Sequence, residues 1–433
     1  MKGTRPNPEA PEAPAAFRSG GKGVFVFLPP AIILGGGANA VSMARSLGRK
    51  GIKVYALNSP DSYVRFSRFS EWIPAADGES WRDLLLGPGA VRLRGGVLLA
   101  ASDAAIEFIV KNRVELGRRF VLDISNPGAQ LCMLNKLCTY ERALEAGVPT
   151  PRFWKVREPG QVSAHEREYV YPMIVKPVYS HKFQEAFDCK FFPAQGFDEL
   201  LDACKRAFEY GVEVMLVEKI PGPDSRLCSY YTYIDENGVA LFDFTKRIIR
   251  RYPNNQGLAC CHITDWNPEV RDLSLKYLAH VGLAGLANIE FKRDVRDGKL
   301  KLIECNARFT AANCLVSASG YDLALFVYNR LAGRTQPPLK GKKYRLGLRL
   351  WHPVEDFASF KELRRMGELG FIGWLGSVAR PQVLPFFRFY DPLPTVIFES
   401  KRICGFIGRR AKRILNFQKS KDKSENKKPL EAR

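Results

Sequence analysis

The first third of the chain alternates short apolar runs with polar or glycine-rich segments. The pattern predicts strands at 31–34, 53–57, 97–101 and 120–123, most of them followed by a helix. Ser102 and Asp103, at the end of the third strand, are expected to cap the next helix. Four βα-type units of this kind predict a doubly wound parallel sheet over residues 30–130.

The middle of the chain follows a different pattern, in which strands and helices are less regularly interleaved. Two β-rich runs on either side of Asn237-Gly238 predict a hairpin, because this dipeptide favours a tight turn. The strands predicted here are 171–176, 215–218, 230–234 and 240–244, and the helices are 135–147, 268–281 and 355–370. The chain is therefore expected to be an α/β protein with α+β lobes after a parallel domain.

The segment from Asn288 to Arg308 is a second predicted hairpin, with Asp297-Gly298 in its turn. Side chains two residues apart on a strand share a face. The polar residues that share a face in this way are Asn288 with Glu290, and Glu304 with Asn306.

Two registers are open for this hairpin. A two-residue loop at 297–298 pairs residue 290 with 305 and leaves Glu290 and Glu304 on opposite faces. A three-residue loop at 296–298, with Gly298 left-handed, pairs Glu290 with Glu304. Carboxylates directly opposite each other repel, so the second register needs a cation between them. Two carboxylates and an amide suit Mg²⁺, with Mn²⁺ as an alternative. The competing interpretation is a surface hairpin with ordinary ion pairs.

Composition narrows the classes of function. The ten cysteines have no C-x-x-C pairs and the five histidines are scattered, so we expect reduced cytoplasmic thiols rather than a zinc site or a disulfide framework. The net charge of +21 suits an anionic partner such as a nucleotide, an acidic substrate or an anionic lipid. Zinc-finger spacing and an aromatic-basic RNA-binding signature are lacking, so sequence-specific nucleic-acid binding is not expected.

The two ends of the chain are expected to differ from the rest. Residues 1–22 are rich in Pro, Ala and Gly and predict disorder, as do residues 418–433. The uncharged stretch 23–44 is similar to a signal peptide, but cleavage there would destroy a coherent βα unit. Residues 394–417 carry spaced apolar positions among many Lys and Arg, which predicts either a basic helix on an anionic membrane or a helix docked on the core. The expected location is cytoplasmic, with peripheral contact at the inner face of the membrane as the alternative.

The loop at Gly35, Gly37 and Ala40 fits G-x-G-x-x-A and invites a nicotinamide-binding interpretation. Such sites have an acidic residue at the end of the second strand, and here that strand ends Leu57-Asn58. A dehydrogenase is therefore disfavoured. A G-x-x-x-x-G-K-[ST] loop is also absent from the sequence, which excludes ordinary P-loop chemistry.

With the upstream residues included, the chain over about 30–335 resembles the ATP-grasp superfamily, in particular carbamoyl-phosphate synthase domains and D-aspartate ligases. The family's metal motif is a carboxylate or Gln on one strand followed by Glu-x-Asn-x-Arg on the next. The resemblance implies that Glu290, Glu304 and Asn306 hold Mg²⁺. It also implies that Arg308 stabilises a tetrahedral intermediate.

The resemblance implies an ATP site as well. Lys136, which follows Asn135 where the family usually has Asp, and Lys176 would both bind phosphate. Residues 178–192 would cover the triphosphate as a flexible loop. One of Lys246 and Arg247 would also face the phosphates, and the sequence leaves open which.

The segment after the strand at 215–218 would be the adenine hinge. Backbone groups near Lys219 and Ile220 would read adenine, Glu218 would face its amino group, and Asp224 is the candidate for ribose. These assignments rest on the resemblance alone, since the residues themselves would equally fit an ordinary strand end.

These observations predict an ATP-dependent carboxylate–amine ligase that acts through an acyl phosphate on an amino acid or a cell-envelope precursor. The alternatives are an ATP-grasp small-molecule kinase and a non-catalytic nucleotide-binding protein at a membrane surface. The identities of the carboxylate and amine and the oligomeric state stay open. The predicted divisions are a disordered terminus 1–28, a Rossmann-like pre-ATP-grasp domain 29–134, a linker and small lobe 135–225, a large lobe with the metal site 226–335, and a basic C-terminal extension 336–433.

Overall fold

The computed structural model describes residues 28–187, 189–334, 339 and 343–402. Its first unit is a parallel sheet of four strands in the order β3-β2-β1-β4. The elements are β1 (Ala31–Leu34), α1 (Ala38–Gly48), β2 (Val54–Asn58), β3 (Glu71–Pro74), α2 (Gly78–Leu86), β4 (Val97–Ala100), α3 (Asp103–Lys111), α4 (Arg113–Gly117) and α5 (Pro127–Leu134), with 3₁₀ turns at Tyr63–Phe66 and Pro88–Leu93.

This sheet is covered on both faces, as the sequence predicts. Ala31 and Ile33 point to one buried cluster with α1, while Ile32 and Leu34 point to another with α2 and α3. The predicted strand at 120–123 is wrong in extent, because only Val121 forms a parallel bridge, to Val97. The sequence pattern also missed β3, a four-residue edge strand with one buried residue, Ile73.

The second unit is a four-stranded antiparallel sheet in the order β5-β8-β6-β7, which forms the small lobe. It follows α6 and is backed by the amphipathic helix α9, whose buried residues include Leu200 and Cys204. The elements are α6 (Lys136–Glu145), β5 (Phe153–Lys155), α7 (Pro159–Ala164), β6 (Met173–Pro177), α8 (Ser180–Phe187), β7 (Phe192–Ala194), α9 (Phe197–Glu209) and β8 (Val214–Glu218), with a 3₁₀ turn at Glu166–Glu168.

The third unit is a sheet of seven strands in the order β13-β12-β9-β10-β11-β14-β15. Its last two strands come from the C-terminal part of the chain, which therefore extends the large lobe. The elements are a 3₁₀ turn at Asp224–Arg226, β9 (Leu227–Ile234), β10 (Phe244–Tyr252), β11 (Leu258–Asp265), α10 (Pro268–Val281), β12 (Gly285–Arg293), β13 (Leu300–Asn306), α11 (Asn313–Ala318), α12 (Leu323–Leu331), β14 (Arg349–Trp351), α13 (Pro353–Arg365), α14 (Phe371–Val378) and β15 (Gln382–Val383).

The hairpin predicted across Asn237-Gly238 forms, but its second strand is displaced. Ala240 makes a single bridge to Ile234, and the continuous strand begins only at Phe244. The intervening residues Leu241 and Phe242 are buried in the core between the first domain and α12. Burial of these side chains takes priority over a regular ladder directly after the turn.

Buried ion pairs attach the C-terminal segment to the rest of the protein. Arg250 of β10 donates from Nε and Nη2 to the carboxylate of Asp356 on α13, at 2.6 and 3.0 Å, and Asp356 is fully buried. Arg45 of α1 makes a similar contact at 2.8 Å with Asp391. Each pair leaves an unpaired buried charge if one partner is lost, so the segment is integral to the fold.

The two chain ends were predicted to be disordered or membrane-associated. Residues 1–27 and 403–433 lie outside the described residues. The described start of the C-terminal helix packs on the core, since the Phe398 ring lies 4.4 Å from that of Phe386 and 5.1 Å from that of Tyr63. Within the described ranges, no helix is both long and apolar enough to cross a membrane.

Candidate active site

A row of paired residues crosses four strands of the large sheet. Glu304 of β13 pairs with Glu290 of β12, Glu290 with Ser229 of β9, and Ser229 with Lys246 of β10. Directly paired residues in adjacent strands present their side chains on the same face. Both carboxylates and the lysine therefore lie on one face of the sheet.

The pairing of Glu290 with Glu304 arises differently from either predicted turn. Backbone hydrogen bonds join Asp294 to Lys299 and Gly298 to Asp294, which makes the loop four residues long. Gly298 is left-handed, with φ of 69°. A β-bulge that leaves Ile303 without a ladder partner then shifts the register by one residue. Of the two registers that the sequence left open, the structure has the one that pairs Glu290 with Glu304, and the bulge rather than the loop length produces it.

Two asparagines occupy the next row on this face. Asn306 pairs with Asn288 and donates from Nδ2 to Asn288 Oδ1 over 3.3 Å. This bond uses the amide nitrogen of Asn306 and leaves its carbonyl oxygen as the atom that can bind a cation. The four polar side chains predicted from the hairpin are therefore together.

Lys136 reaches this face from the first turn of α6. Its Nζ lies 3.3 Å from Glu304 Oε1 and donates to Ser180 Oγ over 2.6 Å. Asn135 is the N-cap of α6 and accepts from the Cys138 backbone N–H, so it orients the turn that carries the lysine. Burial raises the pKa of Glu304, but the charges of Lys136 and Lys176 outweigh that effect and hold it below its ordinary value.

Lys176 approaches the same strand from β6 of the small lobe. Its Nζ donates to the Ile303 carbonyl oxygen over 2.7 Å and to Tyr140 Oη over 2.8 Å. Burial lowers the pKa of Lys176 to about 8, although Glu304 opposes the shift. An ammonium so buried is a strong binding group for an anion that enters the site.

The structure separates the two basic residues that the sequence could not distinguish. Lys246 is buried on the face that carries Glu290, and its Nζ donates to Ser229 Oγ over 3.1 Å. Arg247 points to the opposite face, where its Nε lies 3.3 Å from Asp265 Oδ2. Burial lowers the pKa of Lys246, and the charge of Glu290 partly opposes that shift. Lys246 is therefore the residue on the metal-motif face.

Arg308 projects from the end of the motif to the first domain, where its Nε donates to Asp103 Oδ1 at the first turn of α3. Ser102, not Asp103, caps α3 by accepting from the Ala105 backbone N–H. Burial raises the pKa of Asp103, but Arg308 outweighs it and the net pKa is below its ordinary value. Sequence analysis assigned Asp103 to capping and missed this partner, which lies more than 200 residues away.

Both carboxylates assigned to adenine and ribose contact arginines. Glu218, buried at the end of β8, pairs with Arg296 from the turn of the β12–β13 hairpin. Asp224 accepts from Arg251 Nη2 at 2.6 Å and from the Asn255 backbone N–H at 2.9 Å. The carboxylates are in place along the hinge, but neither is without a partner.

The hinge itself is held by a lysine that the sequence analysis did not select. Lys292 of β12 donates from Nζ to the carbonyl oxygens of Ile220 and Gly222, at 2.9 and 2.8 Å. Burial lowers its pKa to about 8. The Lys219 backbone N–H donates to Pro172 in the small lobe. The sequence did contain a signal for Lys292, because this residue lies two positions after Glu290 and therefore on the same face of the strand.

The prediction of a flexible loop over 178–192 is wrong in part. Residues Ser180–Phe187 form α8, and Phe183 is fully buried in the core of the small lobe. His181 on this helix lies 2.9 Å from Glu107 of α3 through its Nε2 atom. Burial of Phe183 stabilises the helix here. The same segment contributes Ser180, which accepts a hydrogen bond from Lys136.

The expectation of reduced thiols is wrong for two of the ten cysteines. A disulfide joins Cys132 of α5 to Cys138 of α6, with 5.3 Å between their Cα atoms. The two cysteines flank Asn135 and Lys136. Their six-residue separation fits none of the spacings used in the sequence analysis, and the break between the two helices brings them together.

The side chains on this face suit Mg²⁺. Glu290 and Glu304 offer carboxylate oxygens from adjacent strands, and Asn306 offers an amide oxygen. Mg²⁺ prefers oxygen ligands and usually keeps positions for water and phosphate, so a site with two carboxylates and one amide is sufficient. Lys136, Lys176 and Lys246 lie around it, and their positive charge would suit an anionic ligand.

Comparisons with known proteins show which sequences this chain is similar to. No family model matches the chain. A D-aspartate ligase of Enterococcus faecium (strain Aus0004) is 27% identical over 323 residues, 70% of this chain and 76% of that protein. A D-alanine–D-alanine ligase of Pseudomonas fluorescens (strain Pf0-1) is 24% identical over 184 residues, 41% of this chain and about half, 54%, of that protein.

Solved structures show the same architecture. The N5-carboxyaminoimidazole synthetase of Staphylococcus aureus, complexed with ADP, superposes with a TM-score of 0.56 at 17% identity and covers 74% of this chain and 80% of that protein. The chain therefore has the ATP-grasp fold, and the resemblance predicted from the sequence is confirmed.

Proposed function

We propose that this ATP-grasp protein is an ATP- and Mg²⁺-dependent carboxylate–amine ligase. The observation that carries the proposal is the row of Glu304, Glu290 and Lys246 on one sheet face, opposed by Lys136 and Lys176. These are the groups that phosphoryl transfer needs, since catalysis there rests on positioning and on neutralising phosphate charge.

The reaction joins the two substrates in two steps. A carboxylate oxygen of the first substrate attacks the γ-phosphorus of ATP, and ADP leaves with the bonding electron pair. The amine nitrogen of the second substrate then attacks the carbonyl carbon of the acyl phosphate. Inorganic phosphate leaves, the nitrogen loses a proton, and an amide remains.

Each group of this chain has a defined part in those steps. Lys136 and Lys176 bind phosphate oxygens, and Lys246 adds charge from the large lobe. Glu290, Glu304 and Asn306 would hold Mg²⁺, which would supply positive charge to neutralise the phosphates. Arg308, oriented by Asp103, lies at the boundary with the first domain and stabilises the oxyanion formed on amine attack.

The hinge binds the nucleotide base in this proposal. Backbone groups at Lys219 and Ile220 bind adenine, with their position fixed by Lys292. Glu218 and Asp224 line the hinge, where their arginine partners Arg296 and Arg251 must be rearranged or shared when adenine and ribose bind.

The substrate proposed is an amino acid or a cell-envelope precursor. The support is the likeness to a D-aspartate ligase and a D-alanine–D-alanine ligase, together with a basic chain suited to acidic substrates. Contact of the C-terminal basic segment with an anionic membrane stays a prediction, as does the division into domains.

The deciding experiment is ATP-dependent phosphate release, screened against amino acids singly and in pairs. A ligase releases phosphate only when a carboxylate and an amine are both present, and the amide product is then detected by mass spectrometry. Phosphate transfer to one substrate with no requirement for an amine would identify a kinase. ATP binding with no phosphate release for any pair of substrates would indicate a non-catalytic nucleotide-binding protein.

A further inference from the structure

The helix α14 is an unusually apolar element for a protein surface. Its sequence, Phe-Ile-Gly-Trp-Leu-Gly-Ser-Val, contains no charged residue, and none of its residues is buried. Ile372 is 85% exposed, Phe371 51% and Leu375 47%. Ile372 and Leu375 are three residues apart and Phe371 and Leu375 four apart, so all three side chains lie on one side of the helix.

The apolar surface continues onto α13. The Phe357 ring, 42% exposed, lies 5.7 Å from that of Trp374, and the Phe371 ring lies 5.9 Å from it. Phe357, Phe371, Ile372 and Leu375 therefore form one contiguous patch, which we call the apolar face.

The inner side of the same helix is firmly attached. Trp374 Nε1 donates to Asp356 Oδ2 over 2.9 Å, and its ring stacks on that of Phe360 at 4.9 Å. These contacts hold α14 against α13 through Trp374, not through Ile372 or Leu375. The exposure of the apolar face is thus a property of a fixed element.

Cations lie close to this face along the chain: Lys361 Nζ is 4.7 Å from the centroid of the Phe357 ring, Arg364 and Arg365 are at the end of α13, and Arg380 is two residues after α14. Lys361, Arg364, Arg365 and Arg380 are all exposed, and none has an ion-pair partner within 4 Å in the described part of the chain. The two carboxylates in the same stretch are Glu362, which accepts from the Asn254 backbone N–H at 3.0 Å, and Glu368. The rim therefore has an excess of positive charge.

A second source of positive charge begins at the same place. Arg402 lies 3.5 Å from Glu355 in the first turn of α13. Residues 401–433, which start there, have 12 Lys or Arg and 3 Asp or Glu. Arg402, near the beginning of this basic segment, therefore contacts the helix that carries Phe357 of the apolar face.

We propose that the apolar face is the site at which this protein docks on an anionic lipid bilayer. Apolar side chains at an interface and nearby cations are each weak signals for membrane binding, and together they give stable attachment. A second copy of the chain fits this face less well, because a symmetric contact would bring the same unpaired cations against one another. The docking is independent of the ligase reaction.

The test uses the full-length protein and vesicles of phosphatidylcholine with or without phosphatidylglycerol. Wild type is expected to sediment with the anionic vesicles at low salt and to be released at high salt. The double variant Ile372→Asp/Leu375→Asp is expected to bind at least about tenfold more weakly, because it places charge where side chains enter the interface. Both residues are exposed, so ATP binding and thermal unfolding should be unchanged.

Val91→Asp is the matched control, since Val91 is 70% exposed on the first domain and far in sequence from α14. It should bind vesicles as wild type does. Equal binding of wild type and the double variant would assign binding to the basic segment alone and overturn the proposal. The proposal would also be overturned if wild type did not bind the vesicles. If wild type were instead a dimer that the double variant converts to a monomer, the apolar face would be an interface between two copies of the chain.

Discussion

Glu290 and Glu304 lie directly opposite each other on adjacent strands of the large sheet, and the nearest described cation to Glu304 is Lys136, with 3.3 Å between Nζ and Oε1. Two carboxylates in this position repel. Although burial raises the pKa of Glu304, the charges of Lys136 and Lys176 hold it below its ordinary value, so Glu304 stays ionised beside Glu290 and the pair suits a divalent cation.

Replacing Glu304 by Gln should weaken binding of the divalent cation and keep the fold. We expect Mg²⁺-dependent phosphate release to fall by at least about 100-fold, because losing only an outer-shell partner of a metal costs about 10–100-fold and Glu304 is proposed as a ligand. Thermal unfolding should occur at the same or a slightly lower temperature, because Gln keeps the shape of the side chain but loses the ion pair with Lys136. Glu269→Gln, on the exposed side of α10, is the control. Wild-type release by Glu304→Gln at low Mg²⁺ would contradict the metal assignment.

Replacing Lys176 by Ala should weaken ATP binding far more than AMP binding, because only ATP extends to the lysine. Calorimetry measures both affinities, and Lys205→Ala on the exposed side of α9 is the control. Since burial lowers the pKa of Lys176 to about 8, the ammonium loses its proton as the pH rises through that value. ATP affinity of wild type should fall above about pH 8, and Lys176→Ala should show a weaker dependence. Equal losses for ATP and AMP would place Lys176 outside the phosphate site.

Lys246 and Arg247 are adjacent, so they form a matched pair in which only the face differs. Lys246→Met should lower phosphate release by about tenfold or more, because a charge aimed at the reacting phosphates is lost. Arg247→Met should leave it within about twofold of wild type, since only a half-exposed ion pair is removed. The reverse order of effects would show that the nucleotide approaches the other face.

Asp103 positions Arg308 without needing to touch the nucleotide. Asp103→Asn keeps the shape but weakens the ion pair, so we expect ATP affinity to be unchanged and amide formation to fall by about tenfold. The readout is the ratio of amide product to phosphate released, because a loosely held Arg308 should favour hydrolysis over ligation. Glu107→Gln, four residues further on α3, is the comparison. A loss of ATP binding in Asp103→Asn would indicate a structural role instead.

Asp356 should matter to stability rather than to catalysis. It is fully buried and accepts from Arg250, Trp351 and Trp374. Asp356→Ala is expected to lower the free energy of unfolding by about 3–5 kcal/mol, because Arg250 is left buried without a counter-charge. Glu355→Ala, which removes the partly exposed partner of Arg402, should cost about 1 kcal/mol or less. Chemical denaturation measures both. Equal small effects would mean that the C-terminal segment is not integral to the fold.

The sequence by itself determined the elements whose burial is decided locally. The uniformly apolar run 31–34 is recognisable as a strand buried on both faces, and α10 begins and ends where the pattern predicts, at Pro268 and Val281. Glu304, Asn306 and Arg308 follow one another at the period of a strand, so their common orientation was readable. Lys176 was also recognisable, because it ends an apolar strand directly before a proline.

The tertiary structure decided everything that depends on a partner distant in the chain. The bulge at Ile303 sets the register of the two glutamates, and the position of β9 between β12 and β10 places Lys246, not Arg247, beside them. The disulfide joins two helices, α5 and α6, that are separated by the single residue Asn135, and a six-residue spacing of cysteines does not encode that break.

The contacts between domains are the clearest case. Asp103 and Arg308 are joined only when the first domain packs against the large sheet, and Lys292 meets the hinge only when two lobes are in place. Sequence periodicity reports which side of its own element a residue occupies. It does not report which other element that side will face, since that is fixed by the packing of the whole chain.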